Sequence, residues 1–401
     1  MQKKITTYHF PKQSTRLFFD RTVRCCGYFC FFIVLITITS CRKAYQPAAI
    51  TASNQFLTVE GVINTGTAAV TTIRLSRTRS LGDTAVSTLV ENGAQVLIET
   101  ESGGSFSLSA QGNGVYQTTT LSLNPTLRYR LKINTNNGGV YQSAFVSTKQ
   151  SPPIDSVTWN REKDLSLYVH THDPQNKTIY YRWEFDETWQ YRAAYQTSLG
   201  VKNRVIFYLD SITQTYNCWG MEHSKNILTA STAVLSKDQV SYMPLQVIAD
   251  STEKAGVRYS INVLQYALTE EAYNYWEILK RNTQNTGTIF DAQPSQLSSN
   301  ISCISNPAEP VIGFVSAGSV AEKRIFIDNS QLSNWVYISQ SSKDCIQTTG
   351  QQDPNNYLHF IYPDTSFSPY YFITPGTLAI VKTACLDCTR RGGTNIKPLF
   401  W

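Results

Sequence analysis

Between Gln55 and Lys149 apolar and polar residues alternate in short runs, and that period of two leaves the chain few ways to fold. Phe56-Leu57-Thr58-Val59-Glu60, Thr72-Ile73-Arg74-Leu75, Ala94-Gln95-Val96-Leu97-Ile98, Phe106-Ser107-Leu108, Tyr129-Arg130-Leu131-Lys132-Ile133 and Tyr141-Gln142-Ser143-Ala144-Phe145 each present one apolar face. A strand with one side on a core requires this pattern. Between the runs stand Asn92-Gly93, Gly103-Gly104, Gly112-Asn113-Gly114, Asn124-Pro125 and Asn137-Gly138-Gly139, residues that accept the backbone angles of tight turns.

Strands at intervals of roughly ten residues suit a β-sandwich of immunoglobulin or fibronectin type. One such domain is expected over residues 55–150. Ser151-Pro152-Pro153 follows, and proline lacks the donor a sheet ladder needs, so a domain boundary is expected there. Residues 151–401 are expected to form a larger β-rich domain. Its strands include Leu165–Val169, Ile179–Phe185 and Val257–Val263, with Ile179, Tyr181, Trp183 and Phe185 on one face. One helix is expected over residues 269–282. Thr269 is its N-cap, Glu270 and Glu271 sit at its positive end, Leu268 and Tyr273 form a hydrophobic staple, and Lys280 and Arg281 fall in the last turn, all favourable placements. Ala272, Tyr273, Trp276 and Leu279 make the expected buried stripe. The fold class is therefore mainly β with a single clear α-helix. Aromatic residues at 12% and charged residues at only 16% agree with it.

The amino terminus carries an address. Lys3, Lys4, Lys12, Arg16, Arg21 and Arg24 precede an uncharged run from Cys25 to Ser40, the basic and apolar regions of a signal peptide. Those 16 uncharged residues fall short of the roughly 18 that cross a bilayer as a helix. The run ends in Ile38-Thr39-Ser40-Cys41, which resembles the relaxed lipobox of bacterial lipoproteins. On that reading residues 1–40 are removed, Cys41 is lipidated, and residues 41–54 are a tether. An ordinary signal peptide with an incidental cysteine is the alternative. Acyl chains contribute about 0.8 kcal/mol per buried methylene, so a lipidated Cys41 holds the protein at a membrane. Cleavage also removes the basic excess: 35 − 6 leaves 29 basic and 29 − 1 leaves 28 acidic residues. A near-neutral mature chain lacks the electrostatic footprint of nucleic-acid binding, and nucleic acid is set aside as a partner.

Beyond Cys41 the chain has Cys218, Cys303, Cys345, Cys385 and Cys388. In an oxidising compartment an odd number leaves one thiol free. Cys303 is taken as that thiol, and Cys218, Cys345, Cys385 and Cys388 as disulfide cysteines of unread connectivity that tether the C-terminal tail. Cys385-Leu386-Asp387-Cys388 also has the spacing of half a zinc site, but no second pair exists, and only His170, His172, His223 and His359 could complete it.

The ending Cys385-Leu386-Asp387-Cys388 with Gly392-Gly393-Thr394-Asn395-Ile396-Lys397-Pro398-Leu399-Phe400-Trp401 resembles that of the domain-of-unknown-function 4249 family of bacterial lipoproteins. The resemblance continues through Pro153-Ile154-Asp155-Ser156, Tyr180-Tyr181-Arg182-Trp183, Cys218-Trp219, Arg258-Tyr259-Ser260, Glu271-Ala272-Tyr273, Gly287-Thr288-Ile289-Phe290-Asp291 and Arg324-Ile325-Phe326. It implies an outer-membrane lipoprotein, often encoded beside TonB-dependent transporters, with no established activity. In related bacteria surface export of lipoproteins is favoured by acidic residues just after the lipidated cysteine, whereas Arg42-Lys43 follow here. Periplasmic and surface orientations both stay open.

Signatures of acyl transfer, zinc hydrolysis and nucleotide binding are missing from the sequence. No catalytic residue, metal or cofactor is assigned. Asp186-Glu187 and Glu270-Glu271 are adjacent carboxylates; the first reads as a strand end and the second as a helix cap. His170 and His172 alternate on a strand and read as a polar sheet face more readily than as metal ligands. Tyr180, Trp183, Trp189 and Tyr191 are candidate ligand-stacking aromatics, with core packing as the plainer reading. The expected function is a binding or accessory role beside a TonB-dependent transporter. A glycan- or peptide-acting surface enzyme and a structural or adhesive surface protein are the alternatives.

Overall fold

A computed structural model describes residues 55–79, 89–203, 205–210, 212–284, 297–335, 344–353, 356–361 and 366–401. The leader, Cys41 and the tether lie outside the described residues, as does the Gly287–Asp291 motif. The described chain is mainly β with one α-helix.

In the first sheet the order of paired strands is Arg128–Asn134, Gln95–Thr100, Ser105–Gly112, Val115–Gln117, Thr72–Arg77, Leu57–Asn64, Ser316–Gly318 and Val146–Lys149, and the last pairs again with the first. The ladder thus closes around one core that includes Leu57, Ile63, Ile73, Val96, Ile98, Leu131 and Ile133. These are the inward positions of the alternating runs. The stretch 55–150 does not complete this sheet alone: Ile301–Cys303, Ile312–Gly313 and Ser316–Gly318 join it from far along the chain. Two of these pair in parallel with Leu57–Asn64, and parallel pairing leaves no turn signal to read. Gly313 permits the approach, because a Cβ there would lie 2.2 Å from the Val59 carbonyl oxygen.

The second unit is a sandwich. One layer is Ile154–Arg161, Leu165–His172 and Gln239–Ile248; the other is Asn217–His223, Tyr180–Arg192, Arg258–Ala267 and Val320–Asp328, with Leu228–Ser231 also on Tyr180–Arg192. Leu165, Leu167 and Val169 meet Tyr181, Trp183, Phe185, Ile261 and Val263 between the layers. Ser151-Pro152-Pro153 lies between the strands Val146–Lys149 and Ile154–Arg161 and is bound fast. Gln265, fully buried, donates to the Pro152 carbonyl at 2.8 Å and accepts from Trp183 Nε1 at 2.9 Å. A second crossing runs beside it, from Ser316–Gly318 into Val320–Asp328, and Ser319 N–H donates to the Lys149 carbonyl at 3.0 Å. Two linked crossings restrain both units where one would leave a hinge.

The helix, Glu270–Gln284, begins at the expected cap: the Thr269 hydroxyl accepts from Ala272 N–H at 3.3 Å. Its buried residues are Ala272 and Tyr275, with Tyr273, Trp276 and Leu279 half-buried. The stripe is rotated from the expected one because the helix lies along Tyr180–Arg192 and Leu228–Ser231, where Trp276 covers Arg182, while Tyr275 turns to Phe314 with ring centroids 5.3 Å apart.

A fourth, six-stranded sheet, in the order Leu199–Lys202, Val205–Tyr208, Asn356–Ile361, Thr348–Asp353, Thr377–Lys382 and Phe367–Thr374, was not expected. Its strands are short and come from stretches about 150 residues apart, so no local pattern joins them. Leu199, Ile206, Leu378 and Ile380 form its small core.

Candidate functional site

The outward face of the five-stranded layer gathers the pairs Arg182–Glu184 and His223–Asp186 between the helix and the tail. Along Tyr180–Arg192 the inward Tyr181, Trp183 and Phe185 oblige Arg182, Glu184 and Asp186 to point the other way. Register then sets their neighbours: Arg182 lies opposite Tyr266, and Asp186 lies between Asn262 and His223. Asn262 in turn faces Arg324, and Leu264 faces Glu322.

Glu184 and Asp186 on this face each have a cationic or histidine partner. The Arg182 guanidinium bonds Glu184, the Tyr266 hydroxyl donates to Glu184 at 2.8 Å, and Arg182 is held between the rings of Tyr266 and Trp276, at 4.4 and 4.2 Å. Burial raises the Glu184 pKa, but the charge of Arg182 and the two donors outweigh it and leave the carboxyl below its usual range. His223 Nδ1 bonds Asp186 at 2.8 Å, which raises the histidine pKa against burial and against Arg74, a residue of the first unit that acts on it. Burial lowers the Arg324 pKa while Asp186 and Glu322 oppose the change.

The C-terminal tail bounds this face opposite the helix. Phe400 lies on Arg324 at 3.7 Å, and Trp401 packs against Phe326 and Trp219. The tail is secured by the Cys218–Cys388 disulfide, by reciprocal backbone bonds between Trp219 and Thr394 at 2.8 and 3.0 Å, and by Arg391, which bonds Glu253 at 2.6 Å over the ring of Tyr191. Cys345–Cys385 is the second disulfide, and Cys303 is buried and free. The CxxC cysteines thus bond to different partners, and the half-zinc alternative is excluded.

The expected stacking aromatics do not form a platform. Trp183 is fully buried, and Tyr191, 4% exposed, donates its hydroxyl to the Cys388 carbonyl at 3.0 Å. Tyr180 points to the opposite face and packs on Tyr273 at 4.9 Å. Trp189 lies under the Lys254 ammonium at 4.8 Å and closely covers Gly220. The strand alternation splits these four residues, and the core and tail claim the large rings. Asp186 and Glu187 diverge for the same reason. Glu187 enters the sandwich, where Lys254 bonds it at 2.7 Å and Tyr259 at 2.8 Å. His170 and His172 share an outward face but bond separate partners, Thr158 at 2.8 Å and Asp155 at 2.8 Å. Among the described residues no group of three or more His, Cys, Asp or Glu is arranged to hold a metal, and no helix is long and apolar enough to cross a membrane. In the sequence His223 stood only among the histidines that could complete a zinc site, Arg182 and Arg324 only within the resemblance motifs, and Glu184 only within a strand; the signal for a shared face was the alternation of Arg182, Glu184 and Asp186 with the buried aromatics.

Fold and face together define a multi-sheet β protein with a charged, aromatic-edged surface. It belongs to the family described as "Domain of unknown function (DUF4249)", whose model matches residues 43–324, well over half of the chain. The match stops short of the Cys385–Trp401 ending. No curated protein matches. Among solved structures, a two-domain fibronectin type III segment from chicken tenascin is 12% identical, with 53% of this chain and 91% of that chain covered and a TM-score of 0.15. The adhesin InvE of Yersinia pseudotuberculosis is 13% identical, with 52% and 55% covered and a TM-score of 0.15.

Proposed function

We propose that this chain is an exported, lipid-anchored binding protein of the outer membrane, acting as an accessory partner of a TonB-dependent transporter. The observation that carries the binding role is the matched charge on the sheet face. A general acid needs a carboxyl raised toward neutrality, whereas Glu184 is held below its usual range by Arg182 and Tyr266. Groups fixed by partners suit recognition by complementary charge. The leader and Cys41 support export and anchoring, and two disulfides suit an oxidising compartment.

Charge reversal tests this reading. Arg324→Glu places a third acid beside Asp186 and Glu322 and removes the cation under Phe400. We expect about tenfold less transporter recovered with this variant than with the native lipoprotein, the size of one lost charge pair. Equal recovery would remove this face from the interaction.

A further inference from the structure

On the other layer of the sandwich, away from the charged face, the Gln239–Ile248 strand bulges where it passes His170. Val169 pairs with Met243 and Thr171 with Val240, so Ser241 and Tyr242 together oppose one residue. Tyr242 takes a left-handed backbone with φ of +54°, which a tyrosine adopts only at a cost. Its ring does not recover that cost by burial, since it is 69% exposed. Instead it stands edge-on to His170 at 4.6 Å and to Tyr168 at 6.0 Å. The histidine is fixed beneath it: Tyr242 N–H donates to Nδ1 at 3.3 Å, so Nε2 carries the proton and donates to the Thr158 hydroxyl at 2.8 Å. A bulge and Pro244 would blunt this edge strand without any ring. The strained position holds a large exposed aromatic, and strain of this kind marks functional positions.

The surroundings name the ligand chemistry. Register places Thr158 opposite Tyr168 and Asn160 opposite Ser166, all on the outward face. Hydroxyls, an amide and a neutral imidazole thus surround the two tyrosine rings, while the charged residues Asp155 and Glu162 to Asp164 lie in sequence at the ends of the patch. A sugar presents a C–H face that packs on an aromatic ring and hydroxyls that need neutral donors and acceptors. We infer that the Tyr168–His170–Tyr242 patch binds a neutral saccharide chain, independently of the charged face on the other layer.

Calorimetric titration of the full chain with chitohexaose, cellohexaose, maltohexaose and xylohexaose tests this. Binding is expected for at least one of them. Tyr242→Gly relieves the backbone strain and removes the ring, so the melting temperature should hold or rise while affinity falls about tenfold or more, the worth of one aromatic stack. Tyr242→Phe keeps the stack and should bind within about threefold of the native chain. The inference is overturned if none of the four binds at about 10 mM, or if Tyr242→Gly binds as well as the native protein.

Discussion

Glu187 is 2% exposed, and a carboxylate so placed persists only with partners. Lys254 is the shared cation, bonded to Glu187 at 2.7 Å and to Glu222 at 2.8 Å. Removing one member of such a pair leaves the other buried and uncompensated. Lys254→Met should therefore cost about 3 kcal/mol in urea unfolding with disulfides intact, and adding Glu187→Gln should restore most of it. His223 sets a pH dependence at the surface. Its hydrogen bond to Asp186 raises the folded-state pKa above 6.5, so the stabilisation is full below that value and is lost as pH rises through the raised folded-state pKa. NMR titration should find His223 above 6.5 and Asp186→Asn should lower it; an unchanged midpoint in the variant would reject the pairing as the cause.

At the scale of elements, the tail depends on its clip. The Cys218–Cys388 bond spans 170 residues, and such cross-links typically stabilise by about 2 to 4 kcal/mol. The Cys218→Ser/Cys388→Ser pair should lose that much and should speed amide exchange at Trp219 and Thr394, while exchange at Ile261 in the core stays slow. Where a local pattern existed, the elements were legible. Alternation placed Leu57–Asn64, Gln95–Thr100 and Arg128–Asn134, and the Thr269 cap placed the start of the helix. The six-stranded sheet was not, because Thr348–Asp353 is polar throughout and pairs with strands whose register no local residue encodes. The charged face was half legible: the apolar members of Tyr180–Arg192 fixed its inward side, so Arg182, Glu184 and Asp186 had to face outward. Which residues of other strands met them depended on pairings 37, 76 and 62 residues apart: Asp186 with His223, Asp186 with Asn262 and Asn262 with Arg324.

The whole molecule is more interlocked than one boundary at residue 150 suggests. Ile301, Cys303, Val311, Val315 and Ala317 complete the first core, and full burial of a branched apolar side chain stabilises by about 1.5 to 3 kcal/mol. Their sum is comparable with the net stability of an ordinary domain, about 5 to 15 kcal/mol. A fragment of residues 55–150 should therefore show the narrow amide NMR dispersion of an unfolded chain, and a well-dispersed spectrum would refute the dependence. The paired crossings near Ser151 and Ser319 tie the first sheet to the sandwich. A face framed by a helix, a clipped tail and a fixed neighbouring unit is preorganised for a partner. The most direct test of the proposed role is affinity purification of the native protein from gently solubilised membranes of the cell that makes it, with mass spectrometry of whatever stays bound. One TonB-dependent transporter in stoichiometric amount is expected if the proposed role holds; recovery of the protein alone would contradict that role.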